Sequence, residues 1–238
     1  MISCYDWSGG REALMRFGPD TGPVVVMALP LFEEANRTRT FAVTLLRALA
    51  NRGVAGALPD LPGQGESLLP TQAARIGAMQ AAFAGACERL AREGRSVHAA
   101  AIRSGALFDR TASVRSRWHF APSGGPALLR DLGRIRQAAG TRVVEGGAWW
   151  HDAIGDHVEI AGNRIARAML AELATCEPCD ADDSDVALRS VRMESDPRPA
   201  DRRVPGVPLW RRAEPGNDPA LAGMLAQDLS QWIYACDG

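Results

Sequence analysis

The sequence predicts an α/β protein with a mostly parallel sheet and helices on both faces. Short apolar runs rich in β-branched residues alternate with longer segments whose apolar residues recur at helical spacing. Gly or Pro bounds most of these segments. The 238 residues suit one domain carrying an insertion, since single α/β domains of roughly 200–250 residues are common.

Val24 to Leu29 lies between Pro23 and Pro30 and reads as a strand buried on both faces. From Thr38 to Asn51, Phe41, Leu45 and Leu49 share one face with Ala42 and Leu46 beside them. That is an amphipathic helix closed by Asn51-Arg52-Gly53. Val54 to Leu58 is a second strand, and Asp60 to Ser67 a tight Gly/Pro loop. A helix is expected over 71–93, a third strand over 97–102, a third helix opening over 105–112, and a fourth strand over 117–121.

Residues 126–185 read as an insertion or lid within the single 1–238 domain. Helical patches at 128–139 and 162–174 flank the stretch Gly146-Gly147-Ala148-Trp149-Trp150. Cys176 to Asp185 reads as an acidic, mobile turn and 186–193 as a strand. A Pro/Arg-rich loop over 198–208 follows, then a last strand or turn at Leu209-Trp210 and a terminal helix over 220–235. Such sheets bind ligands at the carboxyl ends of their strands, here 30–37, 59–67, 103–106, 121–125 and 194–198.

Composition removes several chemistries. All 27 basic residues of the Lys+Arg class are arginine. Without lysine there is no Schiff base, no Walker A phosphate loop and no protein-kinase site. A net charge of −1 gives no field for nucleic acid or for an anionic membrane. Residues 1–11 include Asp6 and no apolar run, so they do not read as a signal peptide, and 23–32 is too short to span a bilayer. Five scattered cysteines suit a reducing cytoplasm better than a disulfide framework.

The order strand, helix, strand, D-x-x-G-x-G-x-S loop, helix, strand, small-residue turn resembles the α/β-hydrolase superfamily. Four stretches are similar to hydrolase-like proteins of the exosortase A and exopolysaccharide system: Pro30-Leu31-Phe32-Glu33-Glu34-Ala35-Asn36-Arg37, Ala101-Ile102-Arg103-Ser104-Gly105-Ala106-Leu107, Val158-Glu159-Ile160-Ala161-Gly162, and Pro208-Leu209-Trp210 with Asn217-Asp218-Pro219-Ala220-Leu221. The resemblance spans roughly 20–235 and implies a three-layer sandwich whose nucleophile elbow follows 97–102.

An elbow needs small residues two positions before and after its apex. With Arg103 at the apex the flanks are Ala101 and Gly105; with Ser104 they are Ile102 and Ala106, which puts a β-branched residue where glycine belongs. Sterics and the resemblance favour Arg103. A permanently charged arginine is no nucleophile. At the start of a helix it makes an anion or carboxylate site, with Glu33 or Glu34 as its alternative partner. The pocket residues are therefore Arg103, Glu33, Glu34, Asn36, Leu31 and Phe32. The backbone N–H groups of Ser104 and of Leu31 or Phe32 form the expected oxyanion hole.

A working triad also needs an acid after 186–193 and a histidine within 211–218. Glu194 and Asp196 stand at the acid position, but no histidine follows His157. Glu214 stands near the vacant place. His98 and His119 read as packed strand residues. An active esterase would use Ser104, Asp196 or Glu194, and a lid histidine, His151 or His157. Cys176 and Cys179 lack the further ligands of a zinc site, and Asp180 to Asp185 lack those of an EF-hand. No metal and no cofactor are expected. The reading is a protein with a degenerate triad that binds a small anion, a carboxylate or a protein partner.

Overall fold

The computed structural model describes residues 1–140, 148–151 and 155–237. Gly146 and Gly147 lie outside them. Strands β1 (Ile2–Trp7) and β2 (Gly10–Phe17) form an antiparallel hairpin at one edge. Then come β3 (Val24–Ala28), α1 (Glu33–Ala50), β4 (Ala55–Pro59), α2 (Ile76–Arg92), β5 (Val97–Ile102), β6 (Ser116–Phe120) and α3 (Gly125–Ala138). A small hairpin of β7 (His157–Ile160) and β8 (Asn163–Ala166) precedes α4 (Arg167–Leu173), β9 (Ala187–Met193), β10 (Arg202–Val204) and α5 (Pro219–Asp237).

The main sheet has eight strands in the order β1-β2-β4-β3-β5-β6-β9-β10. From β4 to β10 every pairing is parallel, while β2 joins β4 antiparallel. The core is two apolar layers, one on each face. Val24, Val26 and Ala28 of β3 pack towards α2, whereas Val25 and Met27 pack with Phe41, Leu45 and Leu49 of α1 and with Leu225 and Leu229 of α5. Alternation along a fully buried strand feeds both layers, which is why Val24 to Leu29 is continuously apolar. No helix among the described residues is long and apolar enough to cross a membrane.

Several elements differ from their sequence expectation. Helix α1 starts at Glu33 instead of Thr38, so two carboxylates sit in its first turn, where the helix dipole favours them. The helix expected over 105–112 is a short 3-10 turn, Arg103–Leu107. The Arg117 guanidinium takes the carbonyls of Asp109, Arg110 and Ala112, which a continuing helix would need for itself. Residues 162–174 divide into β8 and α4, because Ala161 and Gly162 both have positive φ (47° and 78°), the backbone of a two-residue hairpin turn. The acidic turn is pinned by Arg110 to Asp183 and by Arg117 to Asp185 at 2.6 Å. The Pro/Arg-rich loop contains β10, whose Arg202 reaches Asp228.

Asp228 ties the far edge of the sheet to α5. It is 2% exposed and accepts from Arg189 (2.8 Å), Arg202 (2.8 Å) and the Trp118 indole (2.9 Å). Burial pushes its carboxyl up, but the bonds from Arg189, Trp118 and Arg202 outweigh that and hold it below its ordinary value of 3.8. A carboxylate with a depressed folded pKa contributes stability that is present above its unfolded value and is lost as pH falls through the folded one. Asp228→Ala is expected to cost about 3–5 kcal/mol near neutral pH, as for other broken buried pairs. Urea unfolding across pH should show this difference shrinking below about pH 4.

Candidate functional site

The carboxyl ends of three neighbouring strands carry backbone strain. Just past β3, β5 and β6, Phe32, Arg103 and Ala121 adopt φ of 56°, 55° and 50°. Each such non-glycine residue costs on the order of 1–3 kcal/mol and persists only where the surroundings over-determine it. The positive φ of the elbow falls on Arg103, so arginine occupies the apex. Gly105 makes the reversal possible: a Cβ there would lie 2.5 Å from the Ala28 carbonyl oxygen and 2.9 Å from that of Leu29.

Arg103 is 7% exposed. Its Nη2 and Nε hold the two oxygens of Glu34 at 3.1 and 3.2 Å, a bidentate pair. Its guanidinium lies over the Trp210 ring, 4.9 Å from the centroid. Nη1 faces the Ala121 carbonyl at 3.4 Å, and Asp131 stands 4.0 Å from Nη2. Burial pushes the Glu34 carboxyl above its usual range, although Arg103 pulls it down. Trp210 is fixed by Arg37, which donates to its carbonyl at 3.1 Å, and by an edge contact with Phe120. The aromatic belongs to the Pro208-Leu209-Trp210 stretch; its packing on the arginine was not legible in the sequence.

Ser104 is 1% exposed, and its Oγ accepts the Leu31 N–H at 3.0 Å. The Leu31 N–H, one of the two donors expected for an oxyanion hole, is thereby occupied by the serine that an esterase would need free. Among the described residues no hydrogen bond joins Ser104 to a histidine.

The other candidate residues are dispersed. Glu33 accepts from Asn163 at 3.0 Å and so docks the β7–β8 hairpin on α1. Leu31 and Phe32 are buried and, with exposed Asn36, border a crevice of about 200 Å³ beside Gly63, Gln64 and Met79. Asp196 is enclosed by Arg198 (2.7 Å) and Arg192 (3.1 Å). Burial opposes its ionisation, but the Arg198 bonds prevail and hold its carboxyl well below the usual range. Glu194 and Glu214 are exposed. His157 meets Arg164 on the small hairpin, His151 stacks near Trp150, and His98 bonds Ser116. The Asp60 loop braces itself, for Asp60 takes the Arg39 guanidinium at 3.1 Å and the Glu66 N–H. Among the described residues no group of three or more His, Cys, Asp or Glu could hold a metal ion.

The Arg103–Glu34 pair is testable by a double-mutant cycle. Arg103→Met strands a half-buried carboxylate and is expected to destabilise by about 3–5 kcal/mol. Adding Glu34→Met should recover most of that loss in urea denaturation.

No family model and no curated protein matches the sequence. Solved structures do match the fold over its full length. Est1E from Butyrivibrio proteoclasticus, with ferulic acid bound, is 12% identical; the alignment covers 98% of this chain and 98% of that one, with a TM-score of 0.64. A thermophilic esterase from Thermogutta terrifontis, with malate bound, is 15% identical over 99% of both chains at a TM-score of 0.56. The bottromycin epimerase BotH, in complex with bottromycin A2, is 14% identical over 98% and 97% at 0.56. Est1E, the thermophilic esterase and the epimerase share one architecture, so the fold leaves the chemistry open. The chain has the α/β-hydrolase fold, with an arginine at the turn where that fold places its nucleophile.

Proposed function

We propose that this chain is a non-hydrolytic α/β-hydrolase-fold protein of the cytoplasm whose strand-end site binds a ligand instead of cleaving one. The observation that carries this reading is the apex itself: Arg103 at φ 55° paired with Glu34, beside a serine whose Oγ is bound to the Leu31 N–H. An arginine has no lone pair to offer as a nucleophile and cannot be deprotonated at physiological pH.

In this reading the ligand is a small anion or carboxylate that takes the place of Glu34 on the guanidinium. The raised pKa of Glu34 favours such an exchange, because its carboxylate is held in a poorly solvated place. The strain at Phe32, Arg103 and Ala121 fits a site kept in shape for binding. Five free cysteines fit a reducing compartment. The motif resemblance supports a role in exopolysaccharide-related processes, where a protein partner is the other candidate for the same face.

Succinate, as a simple dicarboxylate probe, is expected to raise the Tm of the protein and to leave that of Arg103→Met unchanged. A fluorophosphonate should not label Ser104, and p-nitrophenyl acetate should not be turned over at enzyme-like rates. Labelling of Ser104, with hydrolysis lost in Ser104→Ala, would overturn the reading in favour of an esterase using Ser104.

A further inference from the structure

A second polar site lies away from the elbow, on the α3 side of β6 and β9. Between α4 and β9 the chain runs as turns instead of as a helix, and the side of β9 carrying Leu188, Ser190 and Arg192 borders a cavity of about 630 Å³. His119 of β6 lines the same cavity, with Glu177, Asp180 and Asp201 around it.

His119 and Asp109 are both 0% exposed. The ring Nε2 stands 2.7 Å from Asp109 Oδ2. A carboxylate only accepts, so Nε2 carries the proton, and in the neutral ring Nδ1 is then the atom with the lone pair. That Nδ1 has no partner. Neither has Asp109 Oδ1 nor Arg117 Nε, and Arg117 is joined to the same network through the Asp109 carbonyl. A buried unpaired polar group costs about 1–3 kcal/mol. Three of them lie in one network, which meets the cavity at His119, where a further hydrogen-bonding group could pair with it.

The charges around the cavity specify which kind. Its two guanidiniums are already engaged: Arg192 with Asp196 and the Pro199 carbonyl, Arg198 with Asp196. Glu177 makes no hydrogen bond or ion pair among the described residues, and its carboxylate lies where a Cβ on Gly124 would stand, so the glycine leaves room for it. Asp201 takes the Ser190 N–H and Asp180 those of Asp182 and Asp183, so among the described residues these carboxylates meet no cation, and the imidazole in its neutral form offers an acceptor.

We propose that this cavity binds a small organic ammonium ion, which donates an N–H to His119 Nδ1 and places its charge against Glu177, with Asp180 and Asp201 at the rim. Asp109 holds the imidazole in the accepting tautomer. The inference does not depend on the function assigned to Arg103, since none of these side chains bonds to Arg103 or Glu34.

The test uses the full chain with putrescine as the amine, glycerol as a neutral polyol and succinate as an anion. Putrescine should bind by calorimetry and shift the His119 imidazole nitrogen resonances, whereas glycerol and succinate should leave those resonances in place. Glu177→Gln, at an exposed position that the fold tolerates, should weaken putrescine binding about tenfold or more, the scale of a lost charge contact. His119→Gln should do the same if it folds. Absence of putrescine binding, equal binding by Glu177→Gln, or a His119 shift caused by succinate or glycerol instead would each overturn the proposal.

Discussion

The strand-end architecture depends on the reversal of the chain after β5. Gly105 packs so closely on the end of β3 that the Ala28 and Leu29 carbonyls leave no room for a Cβ. This contact forces Arg103 into a left-handed backbone and turns Ser104 towards the Leu31 N–H. In a fold that usually spends this strain on exposing a nucleophile, the strain here aims a guanidinium. Glu34, Trp210 and the Ala121 carbonyl then close around that guanidinium from α1, the turn before α5, and the end of β6.

The result is a site that is electrostatically balanced. A buried arginine is tolerated because a bidentate carboxylate and an aromatic face replace the water it has lost. Charge pairing likewise engages the carboxylate that follows β9. Asp196 is bound by two arginines, while Trp210 packs on the Arg103 guanidinium just before residues 211–218, which hold no histidine. Ser104 is left as a hydrogen-bond acceptor that braces the loop after β3. Ser104, Asp196 and Trp210 thus each hold a partner at the strand ends.

The far side of the sheet follows a different logic. Because α4 stops at Leu173, one face of β9 is covered by turns, and ion pairs help hold those turns in place. Arg110 and Arg117 grip Asp183 and Asp185, and Arg117 also draws in three carbonyls of the chain after the elbow. A region organised by charges retains unpaired polar atoms more readily than an apolar layer does, and the His119–Asp109 pair lies among them.

The sequence alone determined the α/β class, the parallel centre of the sheet and the elbow position, since these follow from apolar periodicity and from where small residues must stand. Val24 to Leu29, the Phe41–Leu45–Leu49 face and Ala101 with Gly105 are local signals of that kind. The N-terminal hairpin, the β7–β8 hairpin and the early start of α1 escaped because their signals are short and their stability comes from partners distant in the chain. Only the tertiary structure decided how the charges pair. With 27 arginines and 28 acidic residues, sequence offers many partners for each. That Arg103 meets Glu34, that Asp228 gathers Arg189 and Arg202, and that Ser104 spends its oxygen on Leu31 depends on strand order and backbone direction, which no local pattern encodes.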